Sequence, residues 1–339
     1  MPPTSLLKAR LAHSLQALSG RTVLITGGTG SFGRAFVESA LRWGSPKKLI
    51  VLSRDEQKHY QMERQVQDSR LRFFVGDIRD RDRLRTALRG VDVVVHAAAM
   101  KHVPICEYNP IEAVATNVHG ARNLIEAAIE QRVDRVIALS TDKAVAPANL
   151  YGATKLCMEK LLIAANAYSG DLPTRFAVVR YGNVMGSAGS VIPLFRSQRA
   201  AGRLTITDDR MTRFWIEMPE AVALVARGLE LMQGGEIFIP KLPTTDIGTL
   251  AEAMAPGVPR EVVGIRPGEK LHETLISSEE SRRASDLEEL MVIWPEFQFH
   301  AAVTGRPGRA LPEGYVYCSD SAEPRLGIDE TRAMVERVA

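Results

Sequence analysis

The sequence predicts an α/β protein, a doubly wound parallel sheet with a smaller carboxyl-terminal lobe, and three observations carry that expectation. Short apolar runs alternate with helical patterns from Thr22 to Arg180, as parallel strands joined by crossover helices do. The first run passes directly into a turn with glycines at 27, 30 and 33. Beyond Tyr181 the texture changes to loops and short elements, and 339 residues suffice for a large core plus a second lobe. The chain is therefore divided into an amino-terminal helical extension (1–20), a dinucleotide-binding domain (21–180) and a mainly substrate-binding lobe (181–339).

Composition narrows the class. Hydrophobic residues make up 45% and charged residues 24%, the balance of a globular protein. A net charge of +3 is too small to imply a nucleic-acid partner. Cys106, Cys157 and Cys318 are widely spaced and include no CxxC pair, which argues against a zinc site or a disulfide framework and for a reducing, cytoplasmic setting. His96, His102 and His119 lack metal-ligand spacing, so no metal is expected. No apolar run approaches the roughly 20 residues that span a bilayer, so no membrane insertion is expected. In the extension, Leu7, Leu11, Leu15 and Leu18 recur at helical spacing and predict a helix docked on its own domain or on another subunit.

Thr22–Ile25 reads as the first strand. It enters Thr26-Gly27-Gly28-Thr29-Gly30-Ser31-Phe32-Gly33, and a helical pattern from Ala35 to Leu41 follows. Strand, glycine turn and helix in that order suit a Rossmann-type dinucleotide site, because the glycines let a pyrophosphate rest on the helix N-terminus. Gly27, Thr29, Gly30, Ser31, Phe32 and Gly33 are the candidates there. The second strand, Lys48–Leu52, ends in Ser53-Arg54-Asp55, about 20 residues on, where the ribose is normally read. An acidic residue directly after the strand favours NAD, whereas Ser53, Arg54 and Lys58 suit the 2′-phosphate of NADP. The reading adopted is NADP, and Asp55 keeps NAD open.

Strands at Leu71–Val75 and Val91–Val95 lead to Gly76-Asp77-Ile78 and His96-Ala97-Ala98-Ala99. Ala97, Ala98 and Ala99 leave room for a flat cofactor, and Asp77, beside Ile78, is a candidate partner for the adenine amino group. The mixed charges from Arg79 to Arg85 read as a solvated helix face. Asn117 lies on an otherwise packing helix and needs a partner, since a buried unpaired amide costs about 1–3 kcal/mol. It is placed with the cofactor-binding set, bonded to backbone near the site.

The fifth strand, Arg135–Leu139, brings Ser140-Thr141-Asp142-Lys143 to its carboxyl end, where open α/β sheets place their ligands. Tyr151 and Lys155 follow, four apart, and on a helix starting at Leu150 they share a face within roughly 5–6 Å at Cβ. A tyrosine acting as base must ionise below its ordinary pKa of about 10, and a neighbouring ammonium favours the phenolate. After a sixth strand, Arg175–Val179, the loops Gly182–Ser187, Arg210–Trp215 and Arg266–Lys270 suit an anionic substrate such as a nucleotide diphosphate.

Taken together, these residues resemble the extended short-chain dehydrogenase/reductase family, through Thr26 to Gly33 and Tyr151-x-x-x-Lys155. The likeness is closer to the inverting UDP-N-acetylglucosamine 4,6-dehydratases, which open pseudaminic acid biosynthesis. The matching stretches are Ala99–Pro104, Ser140–Ala144, Asn149–Lys155, Arg180–Val184, Arg210–Trp215 and Gly264–Glu273, within a likeness from about Arg21 to about Leu290. Larger membrane-anchored relatives that retain C5 configuration share Thr-Asp-Lys but carry methionine at the tyrosine position, where this chain has Tyr151.

The resemblance implies tightly bound NADP recycled in each turnover, UDP-N-acetylglucosamine as substrate, and a homo-oligomer, dimer or hexamer. It implies substrate contacts from Lys101, Thr141, Tyr181, Asn183, Val191, Arg213, Arg266 and Glu269. Tyr151 would take the 4-hydroxyl proton, Lys155 would lower the tyrosine pKa and hold the nicotinamide ribose, and Thr141 would bond near O4. Lys143 would remove the C5 proton and Asp142 protonate the departing 6-hydroxyl. A plain Asp142–Lys143 ion pair would shift both groups the wrong way for an acid and a base, so substrate desolvation must prevail. The competing readings are a nucleotide-sugar 4-epimerase, a C5-retaining dehydratase, a dehydrogenase releasing NADPH and a non-catalytic NADP sensor.

Overall fold

The computed structural model describes residues 5–187, 189–297 and 306–337. Its centre is a ten-stranded sheet. β1 (Thr22–Thr26), β2 (Lys48–Ser53), β3 (Leu71–Val75), β4 (Val93–His96), β5 (Arg135–Thr141) and β6 (Arg175–Tyr181) run parallel in the order 3-2-1-4-5-6. This is the doubly wound order, with its switch point between β1 and β4. β1 and β4 are buried throughout, and β5 and β6 at every residue but the first. A strand covered on both faces must be apolar along its length, which is why these segments read as runs rather than alternations.

The helices before β6 are α1 (Ser5–Leu15), α2 (Ser31–Ser39), α3 (Glu56–Gln65), α4 (Arg81–Ala87), α5 (Val103–Tyr108), α6 (Pro110–Val114), α7 (Gly120–Glu130) and α8 (Leu150–Tyr168). Leu11, Leu15 and Leu18 are buried, and α1 lies against the helix Met218–Leu231. Ser14 Oγ donates to Glu230 at 3.1 Å, and Arg10 pairs with Glu289 at 3.4 Å. The extension packs on its own chain; residues 1–4 lie outside the described residues.

After β6 the chain returns to the same sheet. Ile237–Pro240 pairs parallel with β6, and Leu290–Ile293, Ala284–Asp286 and Arg309–Ala310 extend it antiparallel. A second core, with Phe195, Ile206, Trp215, Leu250 and Met334 among its members, underlies the lobe. Residues 181–337 therefore serve both cores; 188, 298–305 and 338–339 lie outside the described residues.

Arg180, fully buried, ties α8 to the segment from Leu275 to Glu280. Its guanidinium donates to Glu159 of α8 at 3.1 and 2.6 Å, to Glu280 at 3.1 and 2.9 Å, and to the Leu275 carbonyl at 2.9 Å. Cys106, Cys157 and Cys318 are free thiols, and no helix among the described residues is long and apolar enough to cross a membrane.

Candidate active site

A cleft of about 1400 Å³ opens at the carboxyl ends of β1, β4, β5 and β6, between the sheet and the lobe. Its first wall is the glycine turn. A Cβ on Gly33 would stand 2.5 Å from the backbone of Gly28, so only glycine lets the first turn of α2 close on the loop. The first intrahelical donor of α2 is Arg34, to the Gly30 carbonyl at 2.9 Å. The N–H groups of Ser31, Phe32 and Gly33 are thereby left at the helix end, a fit for a pyrophosphate. Replacing Gly33 with alanine is expected to yield folded protein with little bound dinucleotide, read by quantifying nucleotide released on denaturation; wild-type content would show that the loop can yield.

At the ribose end, Ser53 Oγ bonds Thr29 Oγ1 at 2.8 Å. Asp55 caps α3, accepting the Lys58 N–H at 3.0 Å and pairing with Lys58 Nζ at 3.1 Å. That backbone bond is the main reason its carboxyl lies below the ordinary range. Arg54 lies 3.7 Å from Asp77, whose carboxylate accepts from the Arg79 guanidinium at 2.7 and 3.0 Å. Arg54, Lys58, Asp77 and Ile78 line the cleft, as do Ala97, Ala98, Ala99 and Lys101. Burial pulls the Lys101 ammonium below its ordinary pKa.

Asn117 does not line the cleft. It sits in a wide π turn between α6 and α7, accepts the Met100 N–H at 2.8 Å, and donates to the Met100 carbonyl at 2.9 Å and Thr154 Oγ1 at 3.0 Å. It pins the loop after Ala99 to α8, the backbone bonding expected of it, and acts on the cleft through that loop.

The second wall is the turn after β5. Asn149 fixes the start of α8: its Oδ1 accepts the Gly152 N–H at 2.7 Å and its Nδ2 donates to the Gly268 carbonyl at 2.7 Å. A Cβ on Gly152 would lie 2.1 Å from the Lys143 carbonyl oxygen, so glycine there lets α8 pass against the Asp142–Lys143 turn. Tyr151 is thereby set beside Thr141 and Lys143. Burial pushes its phenol up to about 12, while Lys143 and the Thr141 hydroxyl pull the other way.

Lys155 is turned elsewhere. Its ammonium donates to the Leu139 carbonyl at 2.6 Å and to Met158 Sδ at 3.1 Å, and burial pulls it down to about 8. The cation that bears on Tyr151 is Lys143, and Lys155 is set in the cleft floor.

Asp142 is fully buried behind the lining. Its Oδ1 accepts from Thr141 Oγ1 at 2.8 Å and from Lys143 Nζ at 3.1 Å, and its Oδ2 has no hydrogen bond among the described residues. The ion pair exists. Lys143 Nζ also lies 3.2 Å from Glu273 Oε1 and 3.5 Å from Asn183 Oδ1. Burial would lower its pKa, but the Asp142 and Glu273 carboxylates outweigh burial and hold it above the ordinary value. Glu273 is absent from the sequence-derived candidates. Its only signal is its place at the end of the Gly264–Glu273 stretch.

Across the cleft stand Tyr181, Asn183, Val191, Arg213, Arg266 and Glu269. The Arg213 guanidinium donates to the carbonyls of Thr212, Leu271 and Lys270 at 2.7, 3.0 and 3.0 Å, so it also ties the facing loop in place. Arg266 is 3.9 Å from Glu269.

Sheet order and phosphate cradle define the class, a dinucleotide-binding α/β fold with ionisable groups at the switch-point cleft. The chain belongs to the polysaccharide biosynthesis protein family, whose model matches residues 23–295. It is 49% identical over 312 residues to an inverting UDP-N-acetylglucosamine 4,6-dehydratase of Campylobacter jejuni, covering 89% of this chain and 93% of the relative. It is 46% identical over 275 residues to a UDP-glucose 4-epimerase of Rickettsia conorii, covering 79% and 81%. Among solved structures it is similar to Pen from Bacillus thuringiensis, with a TM-score of 0.86, 37% identity and coverage of 94% and 99%. It is also similar to DesIV, a dTDP-glucose 4,6-dehydratase from Streptomyces venezuelae solved with NAD and TYD bound, with a TM-score of 0.66, 27% identity and coverage of 74% and 86%.

Proposed function

We propose that the protein is an inverting 4,6-dehydratase of UDP-N-acetylglucosamine that works with NADP. The observation that carries this reading is the Asp142–Lys143 pair beside Tyr151 in a cleft that also holds a dinucleotide cradle. Loss of the 6-hydroxyl is difficult because the C5 proton is not acidic until C4 is a ketone. A bound nicotinamide supplies that chemistry by accepting hydride from C4 and returning it at C6.

Tyr151 takes the 4-hydroxyl proton, helped by Lys143 and Thr141. Lys143 then removes the C5 proton. The C5–H electron pair becomes the C5–C6 double bond, the C6–O bond breaks, and water leaves with the proton of Asp142. A proton drawn from solvent water reaches C5 from the opposite face and inverts that centre, while Lys143 and Asp142 are left as the starting ion pair.

An ion pair and an acid–base pair contain the same number of protons. Moving one proton across the 3.1 Å from Lys143 Nζ to Asp142 converts the first into the second. A bound sugar that excludes water favours the neutral pair.

NADP is favoured because Asp55 is engaged as the cap of α3, which leaves Ser53, Arg54 and Lys58 at the ribose end. Lys101, Arg213, Arg266 and Glu269 are assigned to the nucleotide sugar, and Lys155 to the nicotinamide ribose. On this reading the protein acts in the cytoplasm as a homo-oligomer. Its product is a 6-deoxy-4-keto sugar nucleotide of the kind that feeds pseudaminic acid synthesis and flagellin glycosylation.

The Rickettsia relative favours a second reading, a 4-epimerase. An epimerase needs Tyr151 and the cofactor but has no use for an acid and a base beside C5 and C6. Incubation with UDP-N-acetylglucosamine in deuterated water, followed by proton NMR, separates the two. The expected product is the L-arabino 4-keto sugar with deuterium at C5, without net NADPH and with NADP released on denaturation. Appearance of a 4-epimer alone would overturn the dehydratase.

A further inference from the structure

Lys143 has a second carboxylate. Glu273 is 2% exposed and presents Oε1 at 3.2 Å from Lys143 Nζ, nearly the 3.1 Å of Asp142 on the other side. Its backbone needs are met elsewhere: its N–H donates to Ser319 Oγ at 2.9 Å, and its carbonyl accepts the Ser319 N–H at 2.8 Å. Ser319 thus clamps the main chain and aims the side chain at the cleft. The other carboxylate oxygen, Oε2, has no hydrogen bond among the described residues, and Lys270 stands 4.0 Å from it while donating to the Val145 carbonyl at 2.6 Å.

A carboxylate so buried is costly unless a cation pairs with it. Among the described residues, the charged or titratable groups that face Lys143 are Asp142 on its own turn, Tyr151 from α8, Arg213 from the strand Thr212–Ile216 and Glu273 from the loop before Thr274, with Lys270 of the same loop beyond Glu273. Arg213 opposes positive charge on Lys143, and only the two carboxylates favour it. Asp142 has its own task, giving up a proton.

We propose that Glu273 is a positioning residue for the elimination step, fixing Lys143 and stabilising the ammonium that forms as Lys143 takes the C5 proton. The inference rests on the dehydratase reading. Positive charge at Nζ grows between the neutral pair and the product of elimination, and a fixed carboxylate at 3.2 Å acts on that growth without having to reorganise. Asp142 becomes a carboxylate in the same step. Of the two carboxylates beside Lys143, Glu273 is therefore the one whose charge is constant throughout.

The test is Glu273→Gln, assayed with UDP-N-acetylglucosamine and its C5-deuterated form over a range of pH. The expected result is a fall in kcat on the order of 10²-fold with KM changed by less than about threefold. The alkaline limb of the kcat profile moves to lower pH, because Lys143 loses a carboxylate that favours its charged form. The isotope effect on the C5-deuterated substrate rises as proton removal becomes limiting. Glu273→Asp, which keeps the charge but shortens its reach, is expected to recover part of the rate and of the limb.

A glutamine variant with an unmoved limb and an unchanged isotope effect overturns the proposal, even if its melting temperature drops. Failure of both variants to fold overturns it too, since Glu273 would then be structural. Wild-type protein that leaves C5 unlabelled defeats the dehydratase reading instead, so the two failures are distinguishable.

Discussion

Lys143→Ala is expected to abolish incorporation of deuterium at C5 while leaving a trace of C4 oxidation. Removing a general base costs typically 10²–10⁴-fold, and the two carboxylates beside the missing amine, Asp142 and Glu273, lie about 3 Å to either side of its position. The oxidation is reduced to a trace because Lys143 is also the cation that favours the Tyr151 phenolate. Proton NMR in deuterated water reads the first effect, and single-turnover absorbance of the reduced nicotinamide reads the second. Full turnover by this variant would remove lysine from the chemistry.

Tyr151→Phe is expected to be silent in both assays. Without the phenol the 4-hydroxyl keeps its proton, no ketone forms, and the C5 proton never becomes acidic, so exchange at C5 is lost although Lys143 is intact. The two variants therefore fail at different steps. In the wild type, oxidation should quicken as pH rises across the accessible range, because burial has pushed the phenol up to about 12 and the deprotonated fraction grows toward that value. A phenylalanine variant that oxidises C4 at the wild-type rate would place the base elsewhere.

The amino-terminal half of the fold was legible in the sequence because a parallel strand buried on both faces announces itself as an apolar run. β3 lies where its run lies, β1 and β2 extend one residue beyond theirs, and β4 is shifted to Val93–His96. β5 and β6 run two residues further than expected, through Ser140-Thr141 and Arg180-Tyr181, since polar side chains at a strand end can face a cleft without breaking the ladder. The strands beyond Ile237 escaped notice. They are two to four residues long, antiparallel apart from the parallel pairings of Ile237–Pro240 with β6 and of Arg260–Val262 with Leu204–Ile206, and separated by loops, which leaves little period to read.

The site shows the same division. Thr141, Asp142, Lys143 and Tyr151 lie close together in sequence, and helical spacing brought Tyr151 and Lys155 onto one helix. The spacing does not tell where an ammonium will turn, and Lys155 found the Leu139 carbonyl. Glu273 stands far along the chain from Lys143, and only the tertiary fold brings it there.

Arg180 bears on how such proteins can diversify. The end of β6 is the natural seam for exchanging carboxyl-terminal halves between relatives, yet a cut there parts Arg180 and Glu159 from Glu280 and the Leu275 carbonyl. Arg180 would keep Glu159 but lose its bonds to Glu280 and to the Leu275 carbonyl, and Glu280 would be left without its cation, the kind of break that costs about 3–5 kcal/mol in a buried pair. The segment between Asn183 and Trp215 supplies none of those partners, so substitutions there leave the bonds of Arg180 in place.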